Sequence, residues 1–159
     1  MTNRTDESPA AAAVADIVRW GNRGDVRAAM VGEAGRDLSA NDIALLRSIV
    51  VSGPVRVSDL AELHGVDKST VTPQVQRLER RGLVERGPDA GDRRAVRLSA
   101  TTAGTHTWEE INRAGQAVYE HVLASWTEQE RATFESLIDR FARELITGTS
   151  DWIRDRASG

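Results

Sequence analysis

The sequence contains no cysteine in its 159 residues. Disulfides, zinc–thiolate sites and thiol-based redox sensing are therefore excluded. It has no long hydrophobic run: the early apolar stretch at 10–15 is too short to span a bilayer. That stretch also follows Asp6 and Glu7, the wrong flank for a signal peptide, so a cytoplasmic location is expected. No phosphate-cradling glycine loop, nucleophile elbow or His-Glu-x-x-His pattern is found, and enzyme chemistry is not expected. His64 and His121 stand alone. His106 with Glu109 and Glu110 offers two or three ligands from one helical turn, which leaves a tetrahedral site incomplete. Neither a metal nor a cofactor is expected.

The chain has 40% apolar and 28% charged residues, values of a globular protein large enough to fold without staples. The net charge of −3 hides an uneven distribution. Residues 1–63 carry 7 Arg against 9 acids and residues 98–159 carry 6 Arg against 10. Residues 64–97 reverse the balance, with 8 basic residues against 5 acids. Local rather than net charge governs contact with phosphates. All but one of the basic residues are arginine, Lys68 being the exception. Arginine bonds phosphate and guanine edges bidentately, although a GC-rich genome produces the same bias.

Residues 1–9 are polar and end at Pro9, the composition of a flexible tail. Over 10–31, Val14, Ile17, Val18, Gly21 and Ala28 share a helical face. Gly21 and Gly24 weaken that helix and mark a kink, a close crossing or a break, and Gly32 and Gly35 end it. Ser39 and Asp42 form a capping-box variant, followed by the stripe Ile43, Leu45, Leu46, Ile49 and Val50. Gly53-Pro54 stops this helix. Ser58 is the expected N-cap of a third helix, with Leu60, Ala61 and Leu63 inward and Gly65 closing it. Asp67 or Ser69 can cap a fourth, in which Val71, Val75 and Leu78 face inward and Gly82 ends the element. Strands are expected at 83–86 and 94–100, with Val96, Leu98 and Ala100 on one face and turn residues between. Thr101 caps a long helix bearing Trp108, Ile111, Gly115, Val118, Val122 and Trp126. A last helix over 127–146 carries Phe134, Leu137, Ile138, Phe141 and Leu145, with Trp152 and Ile153 beyond Gly148.

The fourth helix carries the chemistry. With its apolar side buried it offers Ser69, Thr72, Pro73, Gln76 and Arg80, flanked by Lys68, Thr70, Gln74 and Arg77. Small hydroxyls and amides can reach base edges in a major groove, and glutamine can pair bidentately with adenine. Lys68 and the helix N-terminus favour a phosphate. Pro73 is tolerated at least cost if Ser69 or Thr70 is the cap, which places it in the first turn; otherwise a local distortion is expected. In the hairpin, Asp92 can hold Arg94 beside Arg93 at the tip, while Arg86 and Arg97 lie along the stem toward phosphates. The bland alternatives are a solvated helix face and a polar turn. A winged-helix module for protein contact is the rival function, and it would need apolar anchors on the fourth helix.

Residues 57–104 resemble the winged helix-turn-helix core of the MarR (multiple antibiotic resistance regulator) family. The likeness lies in STVTPQVQRLERRGLVER at 69–86, Asp-Arg-Arg at 92–94 and LSATTAG at 98–104. The resemblance implies a mainly α fold with a small β-wing: a dimerisation helix and linker at 10–38, a DNA-binding domain at 39–100 and dimerisation helices at 101–159. It further implies a homodimer reading a pseudo-palindromic double-stranded operator, most often as a repressor. The family's reader positions fall on the exposed face at 68–77 and on Asp92 and Arg94, and a proline at 73 also occurs in relatives. Two departures stand out: Ala100 replaces a common leucine, and the first helix is rich in glycine. Release by a small aromatic ligand, held between the dimer helices and the head, is also implied. Trp20, Arg47 and Trp108 are the candidate lining residues, unless the tryptophans merely fill a dimer core.

Overall fold

The computed structural model describes residues 8–88 and 96–157. Its elements are α1 (Pro9–Gly21), α2 (Gly24–Val31), α3 (Ala40–Ser52), α4 (Val57–Leu63), α5 (Lys68–Arg80), β1 (Val84–Pro88), β2 (Val96–Ala100), α6 (Thr102–Val122) and α7 (Glu128–Ala157). The fold is a winged helix-turn-helix, mainly helical with one antiparallel hairpin. Two compact units are distinguished, one reaching to Val118 and the other starting at Tyr119.

The stretch expected as one glycine-weakened helix is two, with the chain broken at Asn22–Arg23. Gly21 and Gly24 border open space, so the break, not a crossing, explains them. The close approach lies further on. A Cβ at Gly35 would sit 2.7 Å from the Val31 Cβ and 3.1 Å from Ile111 of α6, so only glycine lets this loop settle there. Arg27 of α2 donates to the Leu38 carbonyl and ties α2 to the entry of α3.

At that entry the capping box forms in full. Asp42 N–H donates to Ser39 Oγ (3.1 Å), and Ser39 N–H donates back to Asp42 Oδ2 (3.2 Å). Leu45, Leu46 and Ile49 of α3 then join Leu60, Ala61, Val71, Val75, Leu78, Leu83, Val84, Leu98 and Ile111 in one core. Two expectations around α4 need correction. Its N-cap is Arg56, without a side-chain cap bond, and the Ser58 hydroxyl instead donates to Asp59. The cause is upstream: Val55 exchanges both backbone bonds with Leu98 (3.0 and 2.8 Å), which sets where the helix can start. Leu63 faces solvent at 61% exposure, because Leu60 and Ala61 already occupy the inward side of this seven-residue helix.

Both α4 and α5 end in Schellman motifs. After α5, Leu83 N–H donates to Leu78 O and Gly82 N–H to Glu79 O, with Gly82 at φ +71°. That reversal sends the chain into β1, which pairs with β2 from Val84↔Ala100 to Pro88↔Val96. The first strand thus runs two residues further than 83–86. On β2 only Leu98 is fully buried, and Val96, paired with Pro88 at the end of the ladder farthest from Thr101, is exposed.

Thr101 fastens the base of the hairpin. Its N–H donates to Leu83 O (3.1 Å), its hydroxyl donates to Gly82 O (2.7 Å), and the same hydroxyl accepts from Gly104 N–H (3.0 Å) to cap α6. Helix α6 stops at Val122, so Trp126 belongs to the following turn and not to α6. Its ring packs edge-on to Phe134 with centroids 5.3 Å apart. Thr127 and Glu130 form a second capping box at the start of α7. That helix continues through Gly148 to Ala157, well past the expected end. No helix among the described residues is long and apolar enough to cross a membrane.

Candidate nucleic-acid interface

Helix α5 presents three longitudinal strips. Val71, Val75 and Leu78 are buried in the core. Directly opposite, Ser69, Pro73, Gln76 and Arg80 recur at i, i+4, i+7 and i+11, all exposed. On one flank Lys68 and Thr72 border a cleft closed by Arg56, Val57 and Ser58 of the α4 entry, Arg86 of β1 and Val96 of β2. On the other flank Thr70 and Gln74 border a cleft with Asn41, Ala44, His64 and Val66. The helix therefore stands proud between a groove toward the hairpin and a groove toward α3.

Asp67 is the N-cap by backbone conformation and makes no side-chain cap bond. Pro73 is consequently the sixth residue of the helix, not a first-turn residue as expected, and the helix runs through it to Arg80. Its missing N–H would have met the Ser69 carbonyl, which lies in the solvent-facing first turn, so water can replace the lost bond. The Thr72 hydroxyl donates to Lys68 O (2.7 Å) and keeps only its lone pairs for an incoming donor. Lys68, Ser69, Thr70 and Gln76 are exposed, and Gln74 is half-buried.

The arginines divide by what they touch. Arg86 donates through Nε and one terminal nitrogen to both oxygens of Glu79 (2.7 and 3.1 Å), a fork that straps β1 to α5. Arg97 donates to Pro54 O (2.8 Å), bracing β2 against the turn before α4. Arg77 pairs with Asp42 of α3 at 2.9 Å. Burial pushes the Asp42 carboxyl up, but hydrogen bonds from Ser39 and Arg77 outweigh it and hold the group below the usual carboxylate range. None of these pairings was anticipated from sequence. Asp42 and Arg77 lie 35 residues apart. Glu79 and Arg86 face each other only because the Schellman turn reverses the chain.

Asp92, Arg93 and Arg94 lie outside the described residues, as does the Trp152 side chain. Of the three candidate effector residues, Trp20 is exposed on α1, Arg47 is exposed on α3, and Trp108 of α6 packs half-buried against the core. A third cleft is lined by Gly24, Arg27, Ala28, Val31, Gly32, Glu33 and Arg36. None of the three forms a wall of any of these clefts.

A model of the MarR family matches residues 38–96, the span from the last residue before the α3 cap to the start of β2. The multiple antibiotic resistance protein MarR of Salmonella typhimurium is 30% identical over 105 residues, covering 65% of this chain and 73% of its own length. The chain belongs to the MarR family. This MarR-family protein is thus a DNA-binding transcriptional regulator and not an enzyme. The HTH-type transcriptional repressor MdtR of Bacillus subtilis is 35% identical over 103 residues, 65% of this chain and 66% of that repressor. The crystal structure of MarR superposes with a TM-score of 0.71 at 25% identity, over 95% of this chain and all of the other. The crystal structure of Streptococcus pneumoniae FabT in complex with DNA shares the fold, with a TM-score of 0.65 at 22% identity over 86% and 92% of the two chains.

Proposed function

We propose that this protein is a homodimeric repressor whose paired α5 helices read the halves of a pseudo-palindromic operator. One observation carries the reading: opposite its buried side, α5 exposes Ser69, Pro73, Gln76 and Arg80, with Lys68 at its N-terminus and no large apolar anchor. A protein-docking helix would need such anchors, which sets the interaction-module alternative behind DNA reading. The similar MdtR is named a repressor, and the FabT structure holds DNA. In this reading Ser69, Thr70, Thr72, Pro73, Gln74 and Gln76 approach bases, Lys68 and Arg77 meet phosphates, and Asp92, Arg93 and Arg94 carry the wing. Arg86 acts through the hairpin it straps to α5. A small aromatic ligand releasing the DNA, with Trp20, Arg47 and Trp108 as its contacts, completes the proposal.

Selection from a random duplex pool tests it. The wild-type protein should enrich an inverted repeat; a pool that stays unenriched overturns the reading. Gln76→Ala should relax discrimination at one base pair by about 1–3 kcal/mol. Lys68→Ala should instead weaken binding to every duplex and lower the salt slope by about 0.9. Arg94→Glu should remove most of the affinity and leave the dimer intact. Adding benzoate to the complex should release the selected duplex, and unchanged binding at millimolar benzoate would remove aromatic acids of that size from the effector class.

A further inference from the structure

We propose that Asp42 is a positioning residue for DNA binding: from beneath the surface it holds the Arg77 guanidinium so that its outward side meets a backbone phosphate. This rests on the reading of α5 as the DNA-facing helix. The Asp42 side chain is only 7% exposed, while that of Arg77 is 42% exposed, so the cation lies between the carboxylate and solvent. Asp42 is itself immobilised. Its Oδ2 accepts from Ser39 N–H, its own N–H donates to Ser39 Oγ, and its Oδ1 is left for Arg77.

Among the described residues Arg77 donates one hydrogen bond, from a single terminal nitrogen. Its Nε and second terminal nitrogen keep their donors. Arg86 provides the contrast, since two of its nitrogens are already taken by Glu79. Arg77 also stands on the same flank of α5 as Thr70 and Gln74, one helical turn apart. A long, flexible cation that is held in place before DNA arrives loses less freedom on binding.

Asp42 has two opposing effects on DNA. Its charge repels phosphate, and its bond orients the arginine. The two predict opposite signs for Asp42→Asn. If charge dominates, removing it tightens binding. If positioning dominates, binding to the selected duplex weakens by roughly tenfold, and the salt slope falls by about 0.9 because one phosphate contact is lost. We expect the second.

The experiment measures affinity and salt slope for wild type, Asp42→Asn, Arg77→Met and the double variant, with thermal melting followed in parallel. Arg77→Met leaves the capping box intact and should reproduce the slope change. Adding Asp42→Asn to it should then cost no further affinity. Unchanged or tighter binding by Asp42→Asn overturns the proposal, as does an additive double variant. If Asp42→Asn fails to fold, an unchanged slope in Arg77→Met overturns it as well. Failure of the wild type to select any duplex is a different result, and it would overturn the reading of α5 instead.

Discussion

At the scale of single residues, the head holds more positive charge than it presents. Among the described residues of the head, Arg86 and Arg97 are engaged within the fold, whereas Lys68, Arg80 and Arg81 are exposed. The most consequential charge is negative. Because Asp42 sits below its ordinary range when folded, the unfolded chain takes up its proton first as pH falls. The stability it contributes is complete above its unfolded value, about 3.9, and is lost below it. Asp25 and Glu130 are lowered in the same direction by bonds to Arg23 and Thr127, so wild type must be compared with Asp42→Asn. Urea midpoints should fall more steeply for the wild type than for Asp42→Asn between pH 5 and pH 3. Parallel curves would show that the carboxylate bonds contribute nothing. Asp42 was legible as a helix cap, from its spacing to Ser39. Its bond to Arg77 was not legible, because nothing local relates α3 to α5.

At the scale of elements, the same substitution has opposite consequences at two glycines. The first turn of α6 rides on the backbone where β1 begins, and a Cβ at Gly104 would lie 1.9 Å from the Leu83 carbonyl oxygen. A backbone atom cannot swing aside as a side chain can. Gly104→Ala should therefore destabilise by at least about 2 kcal/mol, the upper part of the overpacking range. Gly148 lies in the exposed run of α7 with no atom within 4 Å of a built Cβ. Gly148→Ala should stabilise by about 0.5–1 kcal/mol through helix propensity alone. Chemical denaturation of both variants checks the pair, and like signs would refute the packing argument. The glycine at 104 closes the LSATTAG stretch on which the family likeness was drawn, and the Leu83 contact gives the physical reason for it. Helix α7 outruns the end expected near residue 146 because one glycine costs only about 1 kcal/mol in a helix interior and does not stop the helix by itself. Ion pairs such as Arg140–Glu144 support the exposed turns before Gly148.

At the scale of the whole molecule, the outstanding fact is apolar surface without cover. Ile17, Val18 and Trp20 are exposed on α1, and Leu137, Ile138, Phe141 and Leu145 are exposed on α7 at helical spacing. A second copy covering α7 would gain roughly half of the 1.5–3 kcal/mol of a full burial for each large side chain, since each is already about half covered. Leu137→Glu with Phe141→Glu should therefore shift sedimentation from dimer to monomer at micromolar concentration. Operator affinity should drop with it, because two linked heads bind far better than one. A variant that remains dimeric would remove α7 from the proposed interface.

What the sequence determined by itself were the features that interactions within a few residues create. These are the caps at Ser39 and Thr101, the buried stripe of α5 with its polar back, the glycine stops, and the alternation that marks β2. Each depends on spacings of two to four residues, so the linear order carries the information. Only the tertiary structure decided which of the exposed charges were already engaged: Arg77 by Asp42, Arg86 by Glu79, and the start of α4 by the bridge between Val55 and Leu98. Those contacts join residues from different elements, and their geometry exists only after the core has set the elements against one another.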